Sequence, residues 1–162
     1  MKICNAEIIK LVKELEVEKA DILAFEARNR KITYQKGEEK LVPDYNFGKV
    51  RDEVKCLNER IRKLKHILSV SNNTTIVDEF GITIGECLVY MAQLNTEKTF
   101  LELMSRENPK SRATQFGGAV EYTELTYSIE DCKKELSCVN DLIKRLQIAI
   151  DRTNLTNLIE ID

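Results

Sequence analysis

The 162-residue chain has little of what β-rich folds require. It contains no Trp, 2 Pro and 6 Gly. Sandwiches and barrels need many turn residues between short strands, so this composition disfavours both. We therefore expect a mainly helical protein.

Long apolar runs and a surplus of one charge are also missing. No stretch approaches the ~20 apolar residues of a membrane span, and the N-terminus lacks the apolar run of a secretory signal. The 25 Lys and Arg against 27 Asp and Glu leave a net charge of -2, which argues against a dedicated nucleic-acid binder. The five cysteines include no Cys-x-x-Cys pair, which is typical of a reducing compartment. The sequence thus predicts a cytoplasmic protein without nucleic-acid or membrane partners.

Complete catalytic motifs are absent too. Neither of the two common glycine-rich phosphate cradles occurs. The single histidine, His66, has Lys63 three residues before it, so the Glu-x-x-His ligands of a di-iron bundle are missing, and we expect a solvated imidazole. The cysteines lie on or beside apolar helix positions and are interpreted as small hydrophobes: Cys56, Cys87, Cys132 and Cys138. We predict no catalytic residue, metal or cofactor, and the sequence disfavours an enzymatic function.

What is present is a pair of matching heptad patterns. Residues 46–72 and 128–152 each place apolar side chains at alternating spacings of four and three, as in a coiled coil, and we call each such row a seam. The first seam is Val50, Val54, Leu57, Ile61, Leu64 and Leu68, and the second is Cys132, Leu136, Val139, Ile143, Leu146 and Ile150. From 46/128 to 78/160, seven of 33 positions are identical at an offset of 82: 53/135, 56/138, 58/140, 61/143, 64/146, 72/154 and 74/156. Residues 15–19 match 94–98 more weakly, 79 positions later.

These matches predict an internal duplication. We interpret the chain as a single domain, 1–162, made of two tandem helix–loop–helix units at about 1–80 and 83–162. Four long helices would form an antiparallel coiled-coil-like bundle. The alternative is chance similarity between amphipathic helices, but the matching Asn-x-Thr tails lie beyond the heptads.

Capping signals place the helices at about 3–30, 46–71, 84–107 and 129–152. Thr83 with Glu86 forms a capping box, Ser128 with Asp131 a weaker one, and Asn46 is a plausible cap. Asn72 and Asn154 are predicted to terminate helices two and four, because asparagine tolerates the left-handed conformation.

A small hairpin is expected at 32–43, a strand within 119–127, and extended tails at 74–79 and 156–161. The seam residues Leu64 and Leu146 should be buried equally.

Two features are candidate ligand sites. Glu18 and Asp21 place two carboxylates on one helix face, as magnesium-dependent all-α nucleotide pyrophosphatases require, although the second acidic cluster of those enzymes is missing. A solvated charged face is the other interpretation, and it also applies to the basic run at 60–66. The loop 107–118, with Lys110, Ser111 and Arg112, could bind a ligand or be plainly disordered.

Several stretches resemble an uncharacterised bacterial helical family whose members are sometimes labelled septicolysin-like. The resemblance is carried by residues 57–64, 72–75, 83–88 and 151–156, together with Glu121 and Tyr122. It covers nearly the whole chain. It implies a helical cytosolic protein of unknown function, and it supplies no catalytic residues that could be carried over to this chain.

The favoured hypothesis is a non-enzymatic module for self-association or protein interaction. Helix one has apolar residues on more than one face, which predicts a homo-oligomer, most simply a dimer: Ile8, Ile9, Leu11, Val12, Leu15, Ile22, Leu23 and Phe25. The alternative is a metal- or nucleotide-handling enzyme that uses Glu18, Asp21 and the 107–118 loop.

Overall fold

A computed structural model describes residues 2–114 and 120–160. Four long helices dominate these residues: α1 (Asn5–Asn29), α2 (Phe47–Thr74), α3 (Ile84–Met104) and α4 (Ile129–Thr156). The predicted fold class, mainly all-α with short β pieces in the loops, is confirmed.

Six short strands lie in the described ranges and form three two-stranded antiparallel sheets. The first strand, β1 (Lys2–Cys4), pairs with the last, β6 (Leu158–Glu160). The strand β2 (Ile76–Val77) pairs with β3 (Ile82–Thr83), and β4 (Lys110–Thr114) pairs with β5 (Val120–Glu124). The predicted extended tails at 74–79 and 156–161 thus contain β2 and β6.

The chain divides into two compact units. Of the described residues, unit 1 contains 2–74 and 154–160, and unit 2 contains 75–114 and 120–153. The strand β2, which follows α2, pairs in unit 2, whereas β6, which follows α4, pairs in unit 1. In each unit, therefore, the strand that precedes the first helix pairs with a tail strand: β1 with β6 in unit 1, and β3 with β2 in unit 2.

In unit 1, α1 and α2 run antiparallel. Lys65 Nζ lies 2.6 Å from Glu16 Oε1, and Lys19 Nζ donates to Asn58 Oδ1 at 3.1 Å, so residue numbers rise along one helix as they fall along the other. The pKa of the Glu16 carboxyl is lowered by the hydrogen bond from Lys65. The strand β1 adds Ile3 to the buried core between the helices, and the helices contribute apolar residues at spacings of three and four: Ile8, Val12, Leu15, Leu57 and Ile61.

Unit 2 buries a second apolar cluster. Its members come from β2, α3 and α4: Val77, Ile84, Cys87, Leu94, Val139, Leu146, Ala149 and Ile150. The predicted seam of α4 supplies several of them, and no residue of that seam is exposed. The seam periodicity therefore identifies the inward face of the helix correctly.

The strand-to-helix junctions of the two units have the same register. Cys4 lies opposite Leu158 in unit 1, and Thr83 lies opposite Ile76 in unit 2. In each case the residue before the helix donates its backbone N–H to a glutamate three residues on: Cys4 to Glu7 Oε2 at 2.8 Å, and Thr83 to Glu86 Oε2 at 2.9 Å. These hydrogen bonds lower the pKa of both carboxyls.

The predicted helix starts hold in atomic detail. Thr83 Oγ1 accepts the Glu86 N–H at 3.1 Å, Ser128 Oγ accepts the Asp131 N–H at 3.3 Å, and Asn46 Oδ1 accepts the Lys49 N–H at 3.0 Å. The junction at Cys4 is not anticipated by sequence, because cysteine is outside the usual set of capping residues.

The prediction that Asn72 and Asn154 terminate helices two and four is wrong by two residues in each case. The helices α2 and α4 end at Thr74 and Thr156, which are again 82 positions apart, so Asn72 and Asn154 lie in the last turn. No described residue other than glycine has a positive φ, so neither asparagine adopts the left-handed conformation. Thr74 Oγ1 donates to the Val70 carbonyl at 3.0 Å, a side-chain hydrogen bond within the last turn of α2.

The predicted hairpin at 32–43 is wrong. A turn does form, with the Glu38 N–H donating to the Gln35 carbonyl at 3.1 Å and Gly37 at a φ of 98°, but no strand flanks it. The apolar side chains on both sides are exposed: Ile32, Tyr34, Leu41 and Val42. A two-stranded hairpin that packs on nothing is marginal in water.

The segment between α3 and α4 contains more strand structure than the sequence predicts. The strand predicted within 119–127 is confirmed as β5. Its partner β4 lies in the stretch 107–118, which we expected to be a loop, so that expectation is wrong for Lys110, Ser111 and Arg112. Lys110 forms an ion pair with Glu124 directly opposite, a cross-strand contact of the kind that stabilises antiparallel ladders.

The expectation of equal burial for Leu64 and Leu146 is also wrong. Leu146 is 0% exposed, whereas Leu64 is only half-buried. We expect Leu146→Ala to cost about 2–5 kcal/mol and Leu64→Ala less than about 2 kcal/mol, because truncation costs scale with the cavity left behind. Urea denaturation of both variants measures the difference, and equal losses would contradict it.

The junction of unit 2 gives a second prediction. Thr83→Ala should destabilise the protein by about 1 kcal/mol, the usual cost of losing an N-cap side chain. Glu86→Ala should also destabilise it near neutral pH. The folded-state pKa of Glu86 is lowered, so its contribution is present above the ordinary glutamate pKa and is lost as the pH falls through the lowered value.

Urea denaturation between neutral and acidic pH tests the dependence on Glu86. The stability gap between wild type and Glu86→Ala should close as the pH falls. Glu97→Ala, which changes an exposed glutamate farther along α3, is the control and should leave no such gap. A gap that persists at low pH would contradict the role of the carboxylate.

Candidate functional site

A groove of about 960 Å³ runs along unit 1 between α1 and α2. Its lining comes from these two helices and from β6: Leu11, Glu14, Leu15, Glu18, Arg60, Lys63, Leu64, His66, Ile67 and Glu160. Side chains three or four positions apart share a helix face, so each helix contributes one wall.

The two walls differ in charge above an apolar floor. Leucine and isoleucine side chains of both helices form the floor. The α1 wall carries Glu14 and Glu18, and the α2 wall carries Arg60 and Lys63. The groove therefore fits a ligand that presents an apolar group to the floor and an anionic group towards α2.

Lys63 already has a partner on its own helix. Its Nζ lies 2.8 Å from Glu59 Oε1, and the hydrogen bond from Lys63 lowers the pKa of the Glu59 carboxyl. Both side chains are more than half exposed, and exposed pairs of this kind contribute little to stability. Replacing Glu59 by another carboxylate as the partner of Lys63 would therefore cost little free energy.

The two carboxylates singled out from the sequence line different cavities. Glu18 lies in the groove, whereas Asp21 lines a second cavity of about 390 Å³, which also includes Asp44 and Glu53. Within residues 2–114 and 120–160, no group of three or more His, Cys, Asp or Glu side chains could hold a metal ion. The pair Glu18 and Asp21 thus does not converge on one site.

The basic run at 60–66 divides between two roles. Arg60, Lys63 and His66 lie at the groove, while Lys65 pairs with Glu16. His66 is exposed, as predicted. The run is therefore a charged outer face that also borders a groove, which the heptad pattern alone does not indicate.

The candidate ligand loop places its residues on a strand. Lys110, Ser111 and Arg112 are exposed, and the Lys110 ammonium lies 4.9 Å from the centre of the Tyr122 ring while it pairs with Glu124. Residues 115–119 of that loop lie outside the described residues.

Unit 1 contains a buried polar cluster that the sequence patterns do not predict. Asn5 is completely buried, and its Nδ2 donates to Asn154 Oδ1 at 3.1 Å, while Asn157 Nδ2 donates to Ser71 Oγ at 3.1 Å. Asn5 Oδ1 has no donor among the described residues. The signal for this cluster was the polar Asn5 at the position that corresponds to the apolar Ile84 in unit 2.

The cysteines only partly follow their interpretation as small hydrophobes. Cys4, Cys87 and Cys132 are buried, and burial raises the pKa of the Cys87 thiol. Cys56 and Cys138 are exposed, so the interpretation is wrong for this pair. Both adjoin the helix seam on its solvent side, and adjacency to a seam does not ensure burial.

A second notable surface lies on α3 in unit 2. Val89, Phe100 and Leu103 are 60%, 64% and 60% exposed, and Ala92 and Thr96 between them are exposed as well. Their spacing of three and four places all five on one face of the helix. No charged residue interrupts this face, which we call the α3 stripe (Val89, Ala92, Thr96, Phe100 and Leu103).

In the described part of the chain, no helix combines the length and the apolar character needed to cross a membrane.

Comparison with known proteins identifies the fold but no family. No family model and no curated protein matches the chain. One solved structure, described as a functionally unknown conserved protein from Corynebacterium diphtheriae, is similar with a TM-score of 0.72. It is 18% identical, and the match covers 99% of this chain and 100% of that one. At this identity the likeness shows the fold alone, and the septicolysin-like resemblance stays a prediction.

Thiol labelling tests the placement of the cysteines. Under native conditions, two of the five thiols, Cys56 and Cys138, should react rapidly with an aromatic disulfide reagent, and the three buried ones slowly. The double variant Cys56→Ser/Cys138→Ser should lose the fast phase completely. A fast phase that survives in this variant would contradict the burial of Cys4, Cys87 and Cys132.

Proposed function

We propose that the protein is a self-associating helical module, a homodimer that forms through the α3 stripe. The observation that carries the proposal is the uncharged apolar face itself. Large exposed apolar patches on soluble proteins mark interaction surfaces, whereas single exposed apolar residues need no explanation. We place this module in the cytoplasm, and the five free thiols support that part of the proposal.

The polar groups near the stripe do not oppose burial. Thr96 Oγ1 donates to the Ala92 carbonyl at 3.1 Å, and Thr99 Oγ1 donates to the Asn95 carbonyl at 2.9 Å. Because these hydroxyl protons are already used within the helix, the threonines can present their methyl groups to a partner. Covering the stripe would therefore leave few unsatisfied donors.

The stripe is complementary to itself. If two α3 helices pair antiparallel about a twofold axis at Thr96, Val89 of one copy meets Leu103 of the other. Ala92 then meets Phe100, so a small side chain faces a large one. A twofold interface requires such a self-complementary patch. A second copy of this chain is therefore the occupant that we propose, in a pairing like that of an antiparallel coiled coil.

The corresponding face of α1 supports this choice. At 79 positions before Val89, Ala92 and Phe100, α1 has Lys10, Lys13 and Asp21. All three are exposed, and the helix forms with them in place. The fold thus does not require an apolar outer face at these positions, and the apolar character of α3 needs another explanation.

The size of the stripe sets the expected affinity. From Val89 to Leu103 it extends about 21 Å at 1.5 Å per residue, along one helix. Such a surface lies at the small end of specific interfaces. We expect a dissociation constant in the micromolar range.

Light scattering and sedimentation at several concentrations test the proposal. The wild-type mass should approach twice that of one chain as the concentration rises through ~100 μM, and Val89→Glu should stay monomeric, because each copy would have to bury an unpaired charge. Val17→Glu is the matched control: Val17 lies on α1 and is 61% exposed, against 60% for Val89. It should dimerise like wild type.

Two results would overturn the proposal. One is a wild-type chain that is monomeric over the whole concentration range. The other is a dimer that Val17→Glu and Val89→Glu weaken equally, which would indicate a general effect of added charge.

A further inference from the structure

We propose that the groove of unit 1 is a second, independent binding site, which takes a peptide segment with an acidic residue directly followed by an aromatic one. The inference comes from the corresponding position in unit 2. There the chain supplies such a segment itself.

In unit 2 the segment is the turn between β2 and β3. The Phe80 N–H donates to the Val77 carbonyl at 3.0 Å, and Gly81 adopts a φ of 66°, which closes the turn. Phe80 packs against the apolar cluster of the unit, and the Arg145 guanidinium lies 5.9 Å from the centre of its ring. Arg145 also donates to Glu79 Oε1, at 3.1 Å from Nε and 2.9 Å from Nη2. One cation thus holds the carboxylate and the ring of consecutive residues.

The groove of unit 1 contains the corresponding receptor residues. Lys63 lies 82 positions before Arg145, and Leu64 lies 82 positions before Leu146. Both units also share the strand register and the junction at the start of their first helix. The positions of the cation and of the adjacent leucine are therefore matched by the fold as well as by sequence offset.

The two units differ in the chain segment next to these residues. In unit 1 the two paired strands, β1 and β6, are not consecutive in the chain, so no turn joins them. The groove lining in the described part of unit 1 contains no phenylalanine, tyrosine or tryptophan. Leu64 is half-buried, whereas Leu146 is 0% exposed.

The charges of the groove set the order and orientation of the ligand. Lys63 can exchange its exposed pair with Glu59 for a ligand carboxylate and lie over the adjacent ring. Glu14 and Glu18 on the opposite wall repel a carboxylate, so the acidic residue must lie towards α2. The aromatic side chain then covers the floor at Leu64.

An NMR titration of the full-length, isotope-labelled chain tests the inference. The probe is a capped peptide with the sequence of residues 76–83, Ile-Val-Asp-Glu-Phe-Gly-Ile-Thr. It should shift the signals of Leu11, Leu64 and Ile67 with a dissociation constant below ~1 mM. Replacing its Phe by Ala, or its Glu by Lys, should weaken binding at least ~10-fold, which corresponds to about 1.4 kcal/mol.

Protein variants localise the site. Lys63→Glu should abolish the shifts. Lys55→Glu should not change them, because Lys55 is another exposed lysine of α2, at 78% against 71% for Lys63, and does not line the groove. Val89→Glu should bind the peptide like wild type, so the result does not depend on self-association. No shift at 1 mM peptide, equal binding of the Ala peptide, binding that survives Lys63→Glu, or shifts confined to unit 2 would each overturn the inference.

Discussion

The structure depends on one repeated junction, in which a short strand enters a helix while it pairs with the tail of another helix. Cys4 and Thr83 each donate a backbone N–H to a glutamate three residues on, and each lies opposite the first residue of an incoming tail strand. The helix start and the strand pairing share one residue, so neither can shift without the other. The register of this pairing fixes the residues at which the tails of α2 and α4 begin. It thereby also determines which side chains of these helices face the core.

Sequence predicted the part of the structure that follows from periodicity. The seams of α2 and α4, the caps at Thr83, Ser128 and Asn46, and the 82-residue offset between helix ends all depend on spacing within a few turns. The hairpin at 32–43 and the burial of Leu64 were predicted wrongly because both depend on what covers a residue. Coverage comes from distant segments, such as the turn with Phe80, and local patterns contain no information about it.

The candidate sites show the same limit. The pairing of Glu18 with Asp21 assumed that a shared helix face leads to a shared site, but the two side chains line separate cavities. A comparison of corresponding positions in the two units shows what distinguishes the groove and the α3 stripe. Where one unit has lysines and an aspartate, the other has valine, alanine and phenylalanine. Where unit 2 has a fully buried leucine in a cluster against which an aromatic ring packs, unit 1 has a half-buried leucine in an open groove. We infer that the two units share a framework and differ in what their surfaces bind.

The central claim, that two copies meet through α3, is tested most directly by NMR on a sample that mixes 13C-labelled and unlabelled chains. Isotope-filtered spectra detect only contacts between copies. The account predicts intermolecular contacts from the Phe100 ring to the Ala92 methyl group and from Val89 to Leu103. Contacts between copies that involve other surfaces, or none at concentrations where the chain is dimeric, would contradict it.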